Sequence, residues 1–459
     1  ISVIVSLIRS VLHRLAKVSW VGFPQDILLN MKHLALVPLI GGMAIGAEDI
    51  LGAPPEAIVS YSAFDLNEGF LLNWYEQRGL SIPRYRIDTG EADTVTFKDV
   101  DVVTSLCPCS GLTSAHSSSG AGCEANTWML KSTDWILEKA RPRVLLGENA
   151  SRLYTDFGQP VAATMRLIAE KHGYVMTLVK TDTRHHGLPQ NRLRAFFMLF
   201  RKDQLPENKI PLIATGKEHY TPYDGTWVEF IDSFDQDVDE PLMSFAEDPM
   251  IDFLESENKN WQNYYWKAGQ QERFDAGMDV PNAAVDSLYA LGLVDKFIET
   301  HKDSEEKLVE KAVRYAIRAK TKYDAGQNIW HSGACVAPKR YHPSVMFRTM
   351  QTIMHPQRRS TLTPREYMRL MGLPESMDVP RAYVNAIAQN VPRCTAGWAV
   401  KAAIDSLSGA YGYISVEDFE DDTDQILRQS FINGETRLGM KFGSKFEKFG
   451  YVHREVVGV

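Results

Sequence analysis

Val100-Asp101-Val102-Val103-Thr104-Ser105-Leu106 runs directly into Cys107-Pro108-Cys109-Ser110-Gly111. The first seven residues read as a buried β-strand. The next five set two thiols just past its end, at a strand-to-loop edge. In open α/β sheets ligands bind at the carboxyl ends of strands, so the rest of the chain is best read outward from this junction. Upstream, Leu34–Ile40 has the character of a buried strand ending at Gly41-Gly42. Ala57–Ala63 is a second strand, ending before Asp65, and Phe70–Gln77 is helical. Downstream, Trp128–Ala140 is a helix, Arg143–Leu146 a short strand and Pro160–Lys171 a helix that stops near Gly173. Tyr174–Val179 and Arg194–Phe200 complete the series. Strands alternating with helices of this length predict an α/β fold, a doubly wound parallel sheet covered on both faces.

The regular pattern weakens after about Lys202. Residues 203–355 hold an acidic stretch, several aromatics (Trp261, Tyr264, Tyr265, Trp266) and a basic stretch, and read as a second, smaller domain. Patterning returns at Thr363, with helices expected at Pro364–Met371 and Thr395–Ser406. The tail after Tyr413 carries an acidic run, Glu417 to Asp424.

Composition bounds the class. The 459 residues are 44% hydrophobic and 24% charged, enough for a sizeable core. Five cysteines do not make a disulfide framework and fit a reducing compartment, where a thiol can stay a nucleophile. No apolar run reaches the ~18–20 residues of a membrane span. The chain opens with apolar Ile1–Ile8 followed by Arg9, Arg14 and Lys17, the wrong order for a signal peptide. Met31 directly precedes the first strand, so the natural start is expected at or near it, with residues 1–30 an extension. The net charge of −8 hides an asymmetry. Residues 228–257 carry eleven acids and no base, whereas residues 311–359 carry ten Lys/Arg and one acid, Asp324. Such a split would let one face meet phosphate while another faces solvent.

Three segments carry chemistry. Cys109 is placed to be a nucleophile, provided its pKa falls below the free value of about 8.5. The Gly/Ser-rich run Ser110–Gly122 that follows can move as a lid. The competing readings are two small buried cysteines, or half of a metal site with His116 and Cys123. Cys-x-Cys is tighter than the usual zinc-ligand gap and no second ligand pair follows, so no metal is expected. Gly147-Glu148-Asn149-Ala150 sets a carboxyl after the strand Arg143–Leu146, where it could act as general acid, anchor, turn or helix cap. Gln190, Arg192 and Arg194 lead into a strand. Their guanidinium forks suit phosphate, carboxylate or a base edge, or a solvated strand edge.

In order and spacing these segments resemble the cytosine-C5 DNA methyltransferases. Pro108-Cys109-Ser110-Gly111-Leu112-Thr113 is similar to that family's Pro-Cys-Gln-Gly-aromatic-Ser, with Ser110 in place of glutamine. Glu148-Asn149-Ala150, after Arg141-Pro142-Arg143, resembles Glu-Asn-Val. Gln190, Arg192 and Arg194 resemble Gln-x-Arg-x-Arg. Leu362 to Glu366, Arg369 to Pro374, and Ile387 to Pro392 resemble the ninth and tenth motifs, with Ala388-Gln389 where Gly-Asn is usual. Val37-Pro38-Leu39-Ile40-Gly41-Gly42 resembles Phe-x-Gly-x-Gly-Gly, with Leu39 at the first glycine.

The resemblance implies a Rossmann-like methyltransferase sheet and S-adenosyl-L-methionine as methyl donor. Catalytic and cofactor-binding parts would be residues 31–202 and 356–412. Residues 203–355 would form the target-recognition domain, and 413–459 a tail. Cys109 would attack C6 of a cytosine flipped out of double-stranded DNA, and Glu148 would hold or protonate N3. Arg194 would contact O2, and Arg192 a backbone phosphate or the thiolate. Pro108, Ser110, Asn149 and Gln190 would support the substrate, and Pro108 would also bind the cofactor. Gly41 and Gly42 would let the backbone approach the cofactor's methionine part. Asp65 with Leu66 would meet the ribose, and Asp88, with Asp93 as runner-up, the adenine. The expected setting is a monomer in the cytoplasm of a bacterial or phage-infected cell, restriction-linked or orphan, touching no membrane. A tRNA-directed member of the family and a catalytically weakened nucleic-acid-binding relative are the rivals.

Overall fold

The computed structural model describes residues 30–107, 111–112, 120, 123–155, 157–213, 222–234, 239–275, 281–327, 329, 334–336, 343–355 and 357–415. Cys109, Pro108, Ser110, His116 and most of the Ser110–Gly122 lid therefore lie outside the described residues, as do residues 1–29 and the acidic run Glu417 to Asp424.

Seven strands form the central sheet: β1 (His33–Leu36), β2 (Ala57–Ser60), β3 (Arg84–Arg86), β4 (Val102–Ser105), β5 (Val144–Ala150), β6 (Tyr174–Asp182) and β7 (Leu193–Arg201), in the order β3-β2-β1-β4-β5-β7-β6. All but β7 run parallel; β7 lies antiparallel between β5 and β6. The doubly wound parallel sheet that the sequence pattern predicts is present, with β7 as its one reversed strand. The β6–β7 connection, residues 183–192, is too short for a helical crossover, and only an antiparallel pair can be joined that briefly.

Four helices follow strands in this half: α1 (Gly42–Leu51), α2 (Asp65–Gln77), α3 (Glu124–Lys139) and α4 (Gln159–Lys171). Alternate residues of β1 and β2 enter different cores, the period of two that a doubly covered sheet requires. Leu34, Leu36, Ala57 and Val59 join one; Ala35 and Ile58 join the other.

Two boundaries differ from expectation in ways that matter. β1 stops at Leu36 rather than Ile40, because Val37 (φ 47°) and Leu39 (φ 53°) take the left-handed conformation that no strand accommodates. β5 runs on to Ala150, so Glu148 sits within a strand and not after it. Pairing of Val144–Ala150 with Arg194–Phe200 of β7 extends it.

The middle region is mostly helical: α5 (Trp227–Asp232), α6 (Pro249–Glu257), α7 (Ala268–Asp275), α8 (Ala284–Ala290), α9 (Val294–His301), α10 (Lys307–Asp324) and α11 (Phe347–Met350). It is followed by α12 (Pro364–Leu370), α13 (Val384–Ala388) and α14 (Arg393–Leu407). On α10, Val309, Val313, Ala316, Ala319 and Tyr323 are buried at three- and four-residue spacing, the stripe of an amphipathic helix. The core of this region is continuous with Ala44, Ile45, Leu71 and Trp74 of α1 and α2. The acidic and basic stretches are not wholly separate faces, because Arg359 pairs with Asp252 and Glu255, each at 2.6 Å.

α14 returns to the first half and lies on α1. A Cβ on Gly46 would meet the Arg393 carbonyl at 2.5 Å, so the two backbones approach as only glycine permits. Arg393 also clasps Asp49 at 2.6 Å. Beyond it, Tyr413–Ser415 pairs antiparallel with Lys209–Pro211, so the start of the tail is part of the fold.

Candidate active site

Glu148 and Arg194 are brought together by the β5–β7 pairing. Arg194 stands opposite Ala150, two residues from Glu148, so the two side chains share a face as diagonal neighbours. Arg194 Nε lies 2.6 Å from Glu148 Oε1, and both side chains are largely buried. Burial pushes the Glu148 pKa above the carboxylate range; the charges of Arg194 and then Arg192 pull it back without cancelling the shift. The result is a carboxyl able to keep a proton at higher pH than usual, beside a cation.

Strand alternation sends Asn149 the other way. Its Nδ2 donates to Met129 Sδ on α3 at 3.4 Å, and its Oδ1 accepts the Ala150 N–H. Expected beside the substrate, it instead braces α3, on the opposite face from Glu148.

Arg192 is a second correction. Expected to meet phosphate or the thiolate, it is 1% exposed. It donates to the carbonyls of Val345 (2.5 Å), Ala388 (2.8 Å) and Asn390 (2.5 Å). A guanidinium buried against three carbonyls is not available to a nucleic-acid backbone. Gln190, also fully buried, donates to the Leu370 carbonyl and accepts from the Val345 N–H. Both tie the start of β7 to the returning segments. Of the three motif residues, Arg194 is the one in direct ion-pair contact with Glu148, and the Arg192 charge acts on the same carboxyl.

Cys107 is a core thiol. It packs in the same cluster as Leu106 and Leu112, lies 3.8 Å from Ser132 Oγ, and burial pushes its pKa up to about 12. A thiol so placed is inert at neutral pH, which leaves Cys109 as the nucleophile candidate of the pair. Among the described residues no three His, Cys, Asp or Glu gather to hold a metal.

The expected cofactor residues gather at the carboxyl ends of β1, β2 and β3. Gly41 takes φ 99°, and its N–H donates to the Pro38 carbonyl at 2.9 Å. The space that a side chain would need at these glycines is filled by protein. A Cβ on Gly41 would meet Leu71 at 2.3 Å, and one on Gly42 would meet the Val391 carbonyl at 2.0 Å. Packing demands glycine at both positions, and at Gly41 the positive φ does so as well. Leu39 is the converse: a left-handed, fully buried leucine at a position suited to glycine.

Asp65 lies in the first turn of α2, beyond a short 3-10 turn and not at the strand end. It pairs with Arg84 and Arg86, and the Arg86 hydrogen bond leads in holding its carboxyl below the usual range. Leu66 beside it is 53% exposed. Asp88 accepts the Ser62 N–H at 3.0 Å, which sets it against the loop after β2. Asp93 is instead tied to Trp135 and Lys139 of α3.

Sequence reasoning missed two residues here. Glu68, fully buried, accepts from Ser60 Oγ and from Arg84 Nε, and burial raises its pKa to about 7. Asn390 accepts the Gly42 N–H on Oδ1 at 3.0 Å, and its buried Nδ2 has no partner among the described residues. An acid three residues after Asp65, at helical spacing, was the available sign for Glu68. Asn390 offered only its place one residue past the Ala388-Gln389 pair. Carboxylates for hydroxyl and amine donors, with an unpartnered amide at the β1 loop, fit the polar groups of S-adenosylmethionine.

A mostly parallel sheet with one reversed strand and a glycine turn after β1 is the Rossmann-like arrangement expected of a methyltransferase. Residues 31–391 match the family described as C-5 cytosine-specific DNA methylase, and the chain belongs to it. Its reaction is methyl transfer to C5 of cytosine, and its methyl donor is S-adenosylmethionine.

Solved structures similar to the chain include a putative DNA modification methyltransferase encoded within an E. coli prophage. It is 13% identical, covers 83% of this chain and 100% of its own, and has a TM-score of 0.49. A mutant of Spodoptera frugiperda DNMT2 is 13% identical over 82% of this chain and 99% of its own, with a TM-score of 0.42. The Entamoeba histolytica methyltransferase EhMeth is 10% identical over 82% and 98%, with a TM-score of 0.47. No curated protein matches the sequence. Among the described residues no helix is long and apolar enough to cross a membrane.

Proposed function

We propose that this protein methylates cytosine in double-stranded DNA through a covalent adduct between Cys109 and C6 of the base. The observation that carries the reading is the buried Glu148–Arg194 pair. Cytosine C5 is a poor nucleophile. Addition of the Cys109 thiolate to C6 breaks the ring's conjugation and makes C5 enamine-like. Negative charge then builds toward N3 and O2. Glu148, its pKa raised by burial, donates a proton or hydrogen bond at N3, and Arg194 meets the oxygen beside it. S-adenosylmethionine supplies the methyl group; Asp65, Leu66 and Asp88 hold its nucleoside end, and the Gly41-Gly42 turn lies at its methionine end. Loss of the C5 proton and elimination of the cysteine free the product. Pro108 and Ser110 flank the nucleophile in the sequence.

A base in a duplex must leave the stack, at a cost of a few kcal/mol. Phosphate contacts from the middle region would offset that cost. Exposed Lys311 and Arg318 on α10 suit a phosphate backbone, and the length of residues 203–355 favours DNA over tRNA.

Duplex DNA, tRNA and labelled S-adenosylmethionine, presented separately, test the substrate; label in tRNA alone would overturn the DNA reading. Duplexes carrying 5-fluorocytosine test the adduct. Cys109→Ser should abolish trapping and Cys107→Ser should keep it; trapping that survives Cys109→Ser refutes the nucleophile.

A further inference from the structure

We infer that Arg192 is a positioning residue for the cofactor loop, acting from the substrate strand through Asn390. The inference rests on the reading that the turn after β1 holds S-adenosylmethionine.

Arg192 immediately precedes β7, the strand that carries Arg194. Its guanidinium donates to backbone carbonyls. One terminal nitrogen donates to the carbonyls of Ala388 and Asn390, and the other to Val345. Those carbonyls belong to three separate places: the end of α13, the turn before α14, and the segment leading into α11. A planar, permanently charged fork can hold several acceptors in one geometry, which an ammonium cannot.

The consequence falls on Asn390. With its carbonyl held by Arg192, its side chain is set flat against Gly42. Asn390 Oδ1 receives the Gly42 N–H, and a Cβ on Gly42 would come within 2.7 Å of Asn390 Nδ2. Gly42 is the first residue of α1, and the three residues with positive φ before it (Val37, Leu39 and Gly41) form the turn. Left-handed Val37 and Leu39 persist only where their surroundings hold them. Asn390 is one such hold, fixed in turn from Arg192. The strand that presents Arg194 to the base therefore also sets the loop that receives the methyl donor. Gln190 secures the same junction through Val345 and Leu370.

The test uses the full chain and reads S-adenosylmethionine binding together with peptide-level hydrogen exchange. In the wild type, added S-adenosylmethionine should slow exchange in residues 37–45. If it does not, the placement of the cofactor fails, independently of Arg192. In Arg192→Lys the dissociation constant should rise at least about tenfold, the change that corresponds to ~1.4 kcal/mol. Exchange in 37–45 should quicken while 57–60 and 102–105 stay as in the wild type, a local signature that general unfolding does not give. The KM for S-adenosylmethionine should rise with that for nucleic acid unchanged. Asn390→Ala removes only the last link and should repeat the pattern, which keeps the inference testable should Arg192→Lys fail to fold. Unchanged cofactor affinity and loop exchange in either folded variant would overturn it. So would a shallower salt dependence of DNA binding in Arg192→Lys with cofactor affinity intact, the mark of a phosphate contact.

Discussion

Glu148 and Glu68 are both buried carboxyls next to arginine, and both have raised pKa values because burial outweighs the neighbouring charge. Their roles separate by position. Glu148 lies on β5, facing Arg194. Glu148→Gln keeps the shape and removes the proton, so kcat should fall by about 10²–10⁴, with S-adenosylmethionine affinity unchanged. Steady-state kinetics and equilibrium binding on one preparation check this. Glu68 lies under the β2–β3 end, against Ser60 and Arg84. Its folded pKa of about 7 stands above the ordinary 4.5, so the folded state binds that proton more tightly than the unfolded chain. Its contribution to stability is therefore full below about 4.5 and is lost as pH rises through about 7. Thermal unfolding across this window should show a flatter pH dependence in Glu68→Gln; an unchanged slope would remove Glu68 as the titrating group. At this scale the residue types were readable from the motifs, but the partners were not. Arg192 and Arg194 are two apart in sequence and look equivalent there. One pairs with Glu148, and the other donates to carbonyls more than a hundred and fifty residues away.

The turn after β1 shows what an element demands of its residues. A strand read from hydrophobicity alone runs from Leu34 to Ile40, because every residue in it is apolar. The structure ends the strand at Leu36 and spends the other apolar residues on a tight, buried turn. Leu39 bears two opposed terms. Its left-handed backbone costs about 1–2 kcal/mol, whereas deleting a fully buried leucine side chain costs about 2–5 kcal/mol. Packing outweighs strain, so Leu39→Gly should destabilise the protein by about 1–3 kcal/mol although it restores the glycine usual for the family. Denaturant unfolding with the wild type alongside measures the difference; a stabilised variant would show that strain dominates. β5 errs the other way. Gly147 and the polar Glu148 and Asn149 suggest the end of a strand, yet pairing with β7 carries the strand through them. Gly147 belongs there because a Cβ would strike the Phe197 ring at 2.1 Å.

Across the whole molecule, the central sheet comes from residues 33–201, but the elements that back it come from both ends of the described chain. α14 seals α1, and residues 388–391 back the cofactor turn, so a fragment ending near residue 202 lacks part of its own site. The middle region shares a core with α1 and α2 and ties its two charge stretches together at Arg359. If this region selects the target, bisulfite sequencing of DNA from cells expressing the protein should show methylcytosine in one short recurring context. Methylation scattered without context would deny it that role. The amino-acid sequence by itself determined the alternation of strands and helices and the reaction class, and singled out Cys109, Glu148 and Arg194 as the residues proposed to carry it. Those depend on local periodicity and on motifs contiguous in the chain. Only the tertiary structure decided that β7 is reversed, that Arg192 faces inward, that Asn149 turns from Glu148, and that Asn390 lies against Gly42. Each of these follows from which distant backbone a side chain meets once the sheet has closed, and no spacing along the chain encodes it.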